Sequence, residues 1–124
     1  SGGSDQVMSQ GDWFASFASM LGISIPQEGA PDSRNYLDSW LSATEKGRDF
    51  VVQQNIQNNL AITDGEWKYI PAAKGAAMNK QTNTELGNLP EKDQLYNLKN
   101  DPGEKNNVVD EHPELVERLR FELN

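Results

Sequence analysis

The sequence has no cysteine and a single histidine, His112, in 124 residues. Disulfides, thiolate nucleophiles and cysteine-ligated metals are therefore excluded, and cysteine usage says nothing of redox compartment. A Ser-His-Asp arrangement would have to use His112, which stands beside Pro113 at the expected start of a helix with nothing to bring a serine to it. Basic charge is also short. Eleven Lys and Arg against 19 Asp and Glu give a net charge of −8, with no basic cluster to interrupt it. A phosphate backbone or an anionic bilayer would be repelled, so neither nucleic acid nor a membrane is an expected partner. No apolar run approaches the roughly 20 residues of a spanning helix, and the N-terminus lacks the basic and apolar regions of a signal peptide. No internal repeat or low-complexity tract is present. The length suits one modest domain or a piece of a larger one.

Helical periodicity first emerges over Ser9 to Leu21, where Trp13, Phe14, Phe17, Ala18, Met20 and Leu21 share one broad face. Ser9 is the expected cap, Asp12 places a carboxylate in the first turn, and Gly22 supplies the stop. Trp13, Phe14 and Phe17 are expected to pack in a core, although an aromatic face this large calls for more receiving surface than the remaining chain offers. A second helix is expected from Ser33 to Ala43, capped by Ser33 or Asp32, with Tyr36, Leu37, Trp40 and Leu41 on one side. It should end before Gly47.

From Phe50 the period changes. Phe50-Val51-Val52 reads as a strand buried on both faces, and Gln53 to Asn59 as a polar strand end or loop. Asp64-Gly65 separates two strand-like runs and predicts a type I′ hairpin with Thr63 opposite Glu66, Ile62 facing Trp67 and Leu60 facing Tyr69. Ala72 to Lys92 shows neither period, a length that compact domains leave irregular only for function or disorder. Leu95, Tyr96 and Leu98 form the last expected strand, stopped by a type II turn at Asp101-Pro102-Gly103-Glu104. Pro113 opens a terminal helix with Leu115, Val116, Leu119 and Leu123 as its stripe and Phe121 on the opposite side.

Few residues offer chemistry. One histidine, no cysteine and no carboxylates at ligand spacing leave nothing to assemble a metal site. Between Asn97 and Glu104, Lys99 and Pro102 interrupt the alternating oxygens of a calcium loop. Asp110, Glu111, Glu114 and Glu117 read as a solvated helix start that complements its dipole. The long loop holds polar candidates for an anionic ligand in Lys74, Asn79, Lys80 and Asn83, with Gln81 and Glu85 beside them; an ordinary tolerant surface loop has the same composition.

The run QLYNLKNDPGEKNN, Gln94 to Asn107, resembles the C-terminal signature of the type I, formylglycine-dependent, arylsulfatase-like sulfatases, LYDL followed by two residues and DPxExxN. Leu95, Tyr96, Leu98, Asp101, Pro102, Glu104 and Asn107 match it, and Asn97 departs where the family usually has Asp. Further stretches are similar to the family in the same order. They are Asp12-Trp13-Phe14 through Leu21-Gly22-Ile23, Asp32-Ser33 with Leu37 and Leu41, Asp64-Gly65-Glu66-Trp67-Lys68-Tyr69-Ile70, and His112-Pro113-Glu114.

The resemblance implies an α+β C-terminal part of a bacterial sulfatase: a small antiparallel sheet of about four strands packed against a C-terminal helix. Two helices belonging to the parent's large domain would precede it. On this reading residues 1–8 are a flexible N-terminus, 9–47 a helical segment packing on the missing N-terminal catalytic domain, and 48–124 the sulfatase C-terminal subdomain. The family's nucleophile is a formylglycine made from a Cys/Ser-x-Pro/Ala-x-Arg motif, and its divalent cation, usually calcium, is held by Asp and Asn/Gln side chains of that missing domain. Ser24-Ile25-Pro26-Gln27-Glu28 has Glu28 where arginine is required, so no catalytic residue, metal ligand or cofactor is assigned to this chain. The implied parent hydrolyses carbohydrate sulfate esters and is periplasmic or exported. Lys74, Asn79, Lys80 and Asn83 are the substrate-rim candidates, and self-association through exposed apolar surface is a further expectation. The reading of another class is a free-standing glycan- or protein-binding module.

Overall fold

The computed structural model describes residues 4–26, 28–41, 46–76, 78–85 and 89–124. They form two compact units, Ser1–Val51 and Val52–Asn124.

In the first unit, α1 spans Asp12–Met20 and α2 spans Leu37–Leu41. α1 starts three residues later than its periodicity suggests because Ser9 is drawn into a turn ahead of the helix. The Ser9 hydroxyl accepts from Gly11 N–H at 3.3 Å, and Asp12 reaches back to accept the Ser9 N–H at 2.9 Å. At the other end Ile23 N–H donates to Ala18 O at 2.8 Å and Gly22 N–H to Ser19 O at 3.1 Å, the paired bonds of a Schellman stop. α2 also starts later than expected. Ser33 does not cap it, because its hydroxyl accepts from Ala15 N–H at 2.9 Å and donates to Gly11 O at 2.6 Å. The carboxamide of Asn35 receives the Leu37 N–H instead, at 3.0 Å. Ala43, the expected end, lies outside the described residues.

The faces of α1 are reversed relative to a free-standing amphipathic helix. Asp12 and Ser16 are fully buried, whereas Trp13, Phe14, Phe17 and Met20 are about half exposed and Leu21 more so. The expected core packing of Trp13, Phe14 and Phe17 is therefore not found within this unit. Edge-on ring contacts of Phe17 with Trp13 and Trp40, at 6.3 and 5.2 Å between centroids, cover them only in part.

β1 (Val51–Gln54) begins at the boundary residue Val51, and the second unit continues with β2 (Leu60–Thr63), β3 (Trp67–Ile70), the short pair β4 (Met78–Asn79) and β5 (Thr84–Glu85), β6 (Gln94–Asn97) and α3 (Pro113–Leu123). The main sheet has the order β1-β2-β3-β6, with the β2–β3 and β3–β6 pairs antiparallel. Burial of β1 on both faces is not observed: Val52 is exposed, because β1 is an edge strand. The hairpin register also differs from the type I′ expectation. Thr63 pairs with Lys68 and Ile62 with Tyr69, so the two central residues are Gly65 and Glu66. Asp64 causes the shift. Its carboxylate accepts from Glu66 N–H at 3.1 Å and Trp67 N–H at 2.8 Å, making it a strand end rather than a turn centre. Gly65 then takes the positive φ, 93°, at the first central position, where such turns favour glycine. The shift is by two in pairing, so each side chain keeps its face.

Ile62, Tyr69 and Leu95 lie in one cross-strand row, each at most 1% exposed. α3 packs across β2 and β3 with Val116 and Leu119 buried, while Phe121 is exposed as its off-stripe position requires. α3 runs over the span that its sequence marks, with Pro113 in its first turn. The 101–104 turn is closed by Glu104 N–H to Asp101 O at 3.1 Å, but it is not type II. Gly103 has no positive φ; Glu104 takes that conformation instead, at 51°.

Candidate functional site

The signature run owes its structure to bonds that join strand, turn and loop. Leu95 N–H, pointing away from β3, donates to Asn107 Oδ1 at 3.0 Å, and Val108 N–H donates to Leu95 O at the same distance. The other end of the Asn107 carboxamide donates to Asp93 O at 3.1 Å. Asp101 accepts from Lys105 N–H at 2.8 Å and Asn106 N–H at 2.7 Å. Glu104 pairs with Lys68 of β3 at 2.7 Å, and Tyr96 is buried on that same face of the sheet. Burial, then the charges of Glu104 and Asp101, hold the Tyr96 phenol above its ordinary range. These matched residues are structural braces, and none presents a free nucleophile or acid.

The long loop is more ordered than its irregular composition suggests. Ala73 N–H donates to Leu89 O at 3.0 Å, closing its base, and β4 pairs with β5 beyond it. Asn79 turns the chain by accepting from Gln81 N–H at 3.0 Å, and Asn83 adopts a positive φ of 53° before β5. Asn79, Lys80 and Asn83 are thus gathered on one small hairpin, with Lys80 and Asn83 exposed and Asn79 half-buried. Lys74 stands apart near the base, where its carbonyl accepts from Asn59 Nδ2 at 3.4 Å. Residues 77 and 86–88 of the expected loop lie outside the described ones.

Two charged clusters escaped the sequence reading. The Asp12 carboxylate accepts from Arg48 Nε at 2.7 Å and Arg48 Nη2 at 2.6 Å, and from Arg34 N–H at 3.0 Å. Burial alone would raise its pKa, but these bonds outweigh it and hold the carboxyl below its ordinary value. In the second unit Tyr69 donates its hydroxyl hydrogen to Asp93 Oδ2 at 2.6 Å and accepts from Arg120 Nε at 3.0 Å. Burial, then the Asp93 bond, raises the Tyr69 phenol. Burial opposes ionisation of Asp93, but bonds from Tyr69, Ala72 N–H and Arg120 lower it overall. No sequence motif announces these pairs, since their partners are 36, 24 and 51 residues apart. Among the described residues no group of three or more His, Cys, Asp or Glu could hold a metal ion. None of their helices is long and apolar enough to cross a membrane.

An antiparallel sheet closed by a terminal helix and braced through the signature run defines the class: in sequence and fold the chain is a sulfatase C-terminal region. It is 45% identical over 113 residues, 91% of its length, to the N-acetylgalactosamine-6-O-sulfatase of Bacteroides thetaiotaomicron (strain VPI-5482), and spans 22% of that relative's length. A solved structure from the metabolism of multiple glycosaminoglycans by Bacteroides thetaiotaomicron matches with a TM-score of 0.79 at 45% identity, over 90% of this chain and 23% of that one. Ps i-CgsB shares the fold at 18% identity, with a TM-score of 0.56, over 90% of this chain and 22% of its own. No protein-family model matches the chain.

Proposed function

We propose that this chain is the non-catalytic C-terminal portion of a sulfatase that hydrolyses carbohydrate sulfate esters. It buttresses the catalytic domain and contributes the 74–88 loop to the rim of the substrate pocket. The 45% identity to an N-acetylgalactosamine-6-O-sulfatase carries the reading. The parent's chemistry would use the family's formylglycine and divalent cation, but the residues present here do not fit either group. There is no cysteine, and Ser24 has Glu28 in place of the arginine that its motif needs. The described residues also offer no cluster of metal ligands.

Turnover of an aryl sulfate and of N-acetylgalactosamine 6-sulfate tests the proposal, comparing this chain with the chain extended upstream to its natural start. Activity confined to the extended form supports it; no activity in either directs attention to the binding-module reading and a glycan-binding screen. The rim is tested in the extended protein by Lys74→Ala, Lys80→Ala and Asn83→Ala. The loss of one charge-assisted contact to sulfate raises KM by about tenfold. Unchanged kinetics and substrate preference in all three would remove the rim role.

A further inference from the structure

The loop that carries the rim candidates leaves the sheet after Ile70 and returns at Gln94, which are the last ladder partners of β3 and β6. Leu95 turns its N–H and C=O toward 107–108, so the ladder bonds fall at Ile70 and Gln94, and the next bonded position would join Ala72 to Lys92. A side chain takes over there. Ala72 N–H donates to Asp93 Oδ1 at 2.7 Å, so a carboxylate on the returning leg holds the departing one. One step further out, Ala73 N–H donates to Leu89 O at 3.0 Å.

Asp93 is itself held. Its Oδ2 accepts from the Tyr69 hydroxyl at 2.6 Å and from Arg120 Nη2, and Arg120 Nε donates to the Tyr69 hydroxyl at 3.0 Å. The Tyr69 ring belongs to the buried cross-strand row, and Arg120 follows Leu119, which is buried where α3 crosses the sheet. The Asp93 carbonyl accepts from Asn107 Nδ2 at 3.1 Å. Fastening α3 to β3 requires only the Tyr69–Arg120 contact. The bond from Ala72 lies outside that task and acts on the loop alone.

We infer that Asp93, oriented by Tyr69 and Arg120, is a positioning residue for substrate: it fixes the direction in which the loop leaves the sheet and thereby places Asn79, Lys80 and Asn83. The inference rests on the rim reading. From Ala73 to Asn79 the chain reaches at most about 20 Å, so a swing of about 10° at the neck moves the hairpin tip by about 3 Å. Misplacing a substrate-positioning group by about 1 Å already costs up to about a hundredfold.

The test uses the chain extended upstream to its natural start, with turnover of N-acetylgalactosamine 6-sulfate and amide exchange measured on each variant. Asp93→Ala should raise KM by about tenfold, the loss of one charge-assisted rim contact, with kcat within about twofold of wild type. Asp93→Asn keeps an oxygen for Ala72 N–H and should recover most of that rise. Tyr69→Phe and Arg120→Met keep the acceptor but free it to turn, and should give smaller increases. Combined with Lys80→Ala, Asp93→Ala should raise KM by less than the product of the two single effects, because both act through one hairpin. Exchange at 72, 73 and 78–85 should quicken by at least about tenfold in Asp93→Ala, with 60–70 and 113–123 unchanged. A wild-type KM in Asp93→Ala, where Lys80→Ala raises it, overturns the positioning role and leaves the rim. A rise in Asp93→Ala, localised to the loop by exchange, where Lys74→Ala, Lys80→Ala and Asn83→Ala change nothing, rejects those rim residues and retains the placement of the loop by Asp93. Exchange that quickens equally over 60–70 makes Asp93 a residue of core stability and overturns the inference even where KM rises. Unchanged KM in all four alanine variants, or an inactive wild type, removes the rim reading and the positioning role with it.

Discussion

Arg48→Met isolates the buried ion pair of the first unit. Asp12 is fully buried and receives four N–H bonds, from Ser9, Arg34 and twice from Arg48. The substitution keeps the apolar stem of residue 48 but leaves a buried carboxylate with two backbone donors and no cation. Breaking a buried pair from one side costs about 3–5 kcal/mol, and the two surviving donors favour the lower figure. At about 1.4 kcal/mol per factor of ten, roughly 3 kcal/mol raises the local opening equilibrium by about two orders of magnitude. Amide hydrogen exchange reads this directly over 12–20, with 60–70 of the second unit as an internal control. Asp12→Asn combined with Arg48→Met should recover part of the protection, because the stranded charge is then gone. Exchange over 12–20 that accelerates by less than about tenfold in Arg48→Met would put the pair in the class of exposed ion pairs and refute the reasoning.

Acid should act on the same contact. The Asp12 carboxyl lies below its ordinary value of 3.8 in the folded chain, so its contribution is fully present above that value and is lost as pH falls through the lower, folded one. Protection of α1 should therefore stay level from neutral pH to about pH 5 and decline below about pH 4, and in Arg48→Met, where protonation relieves a stranded buried charge, protection should instead rise as pH falls. In the second unit, Asp64→Ala removes the acceptor for two turn N–H groups and the partner of Arg118, with an expected cost of about 1–2 kcal/mol. Asp64→Asn, which keeps an oxygen for the turn, should lose about 0.5 kcal/mol or less; denaturant midpoints for the two variants that coincide would show that the turn bonds carry no stability.

Local pattern made much of the second unit legible. Pro113 and the stripe of Leu115, Val116, Leu119 and Leu123 marked α3, and alternation along 60–63 and 67–70 put Ile62 and Tyr69 on one apolar face, though in a pairing two residues out of register. The errors arose where a side chain had two available roles. Asp64 could be a turn centre or a strand end, and its two N–H bonds decided for the latter. Ser33 could cap the helix after it or bond back to α1, and the contact lies 18 residues upstream, beyond any local window. Gly103 was the natural site for positive φ, but Glu104 adopts it and pairs with Lys68, 36 residues away. For the candidate site, the hairpin that gathers Asn79, Lys80 and Asn83 was hidden by strands of two residues each, too short to show a period. The inward polar side of α1 was equally hidden: periodicity identifies an apolar face but not whether this chain or another segment covers it.

The bracing of β6 by Asn107 and Val108 has a consequence for how molecules of this protein can meet. Leu95 would otherwise offer its N–H and C=O to any extended strand, and both are already taken by the chain's own loop. At this border of the sheet the backbone template for cross-β growth is closed, leaving β1 with its glutamines as the opposite border. Strand-templated growth of this sheet is then confined to the β1 border, so a charge placed at Val52 or Gln54 should suppress it where the same change on β6 would not.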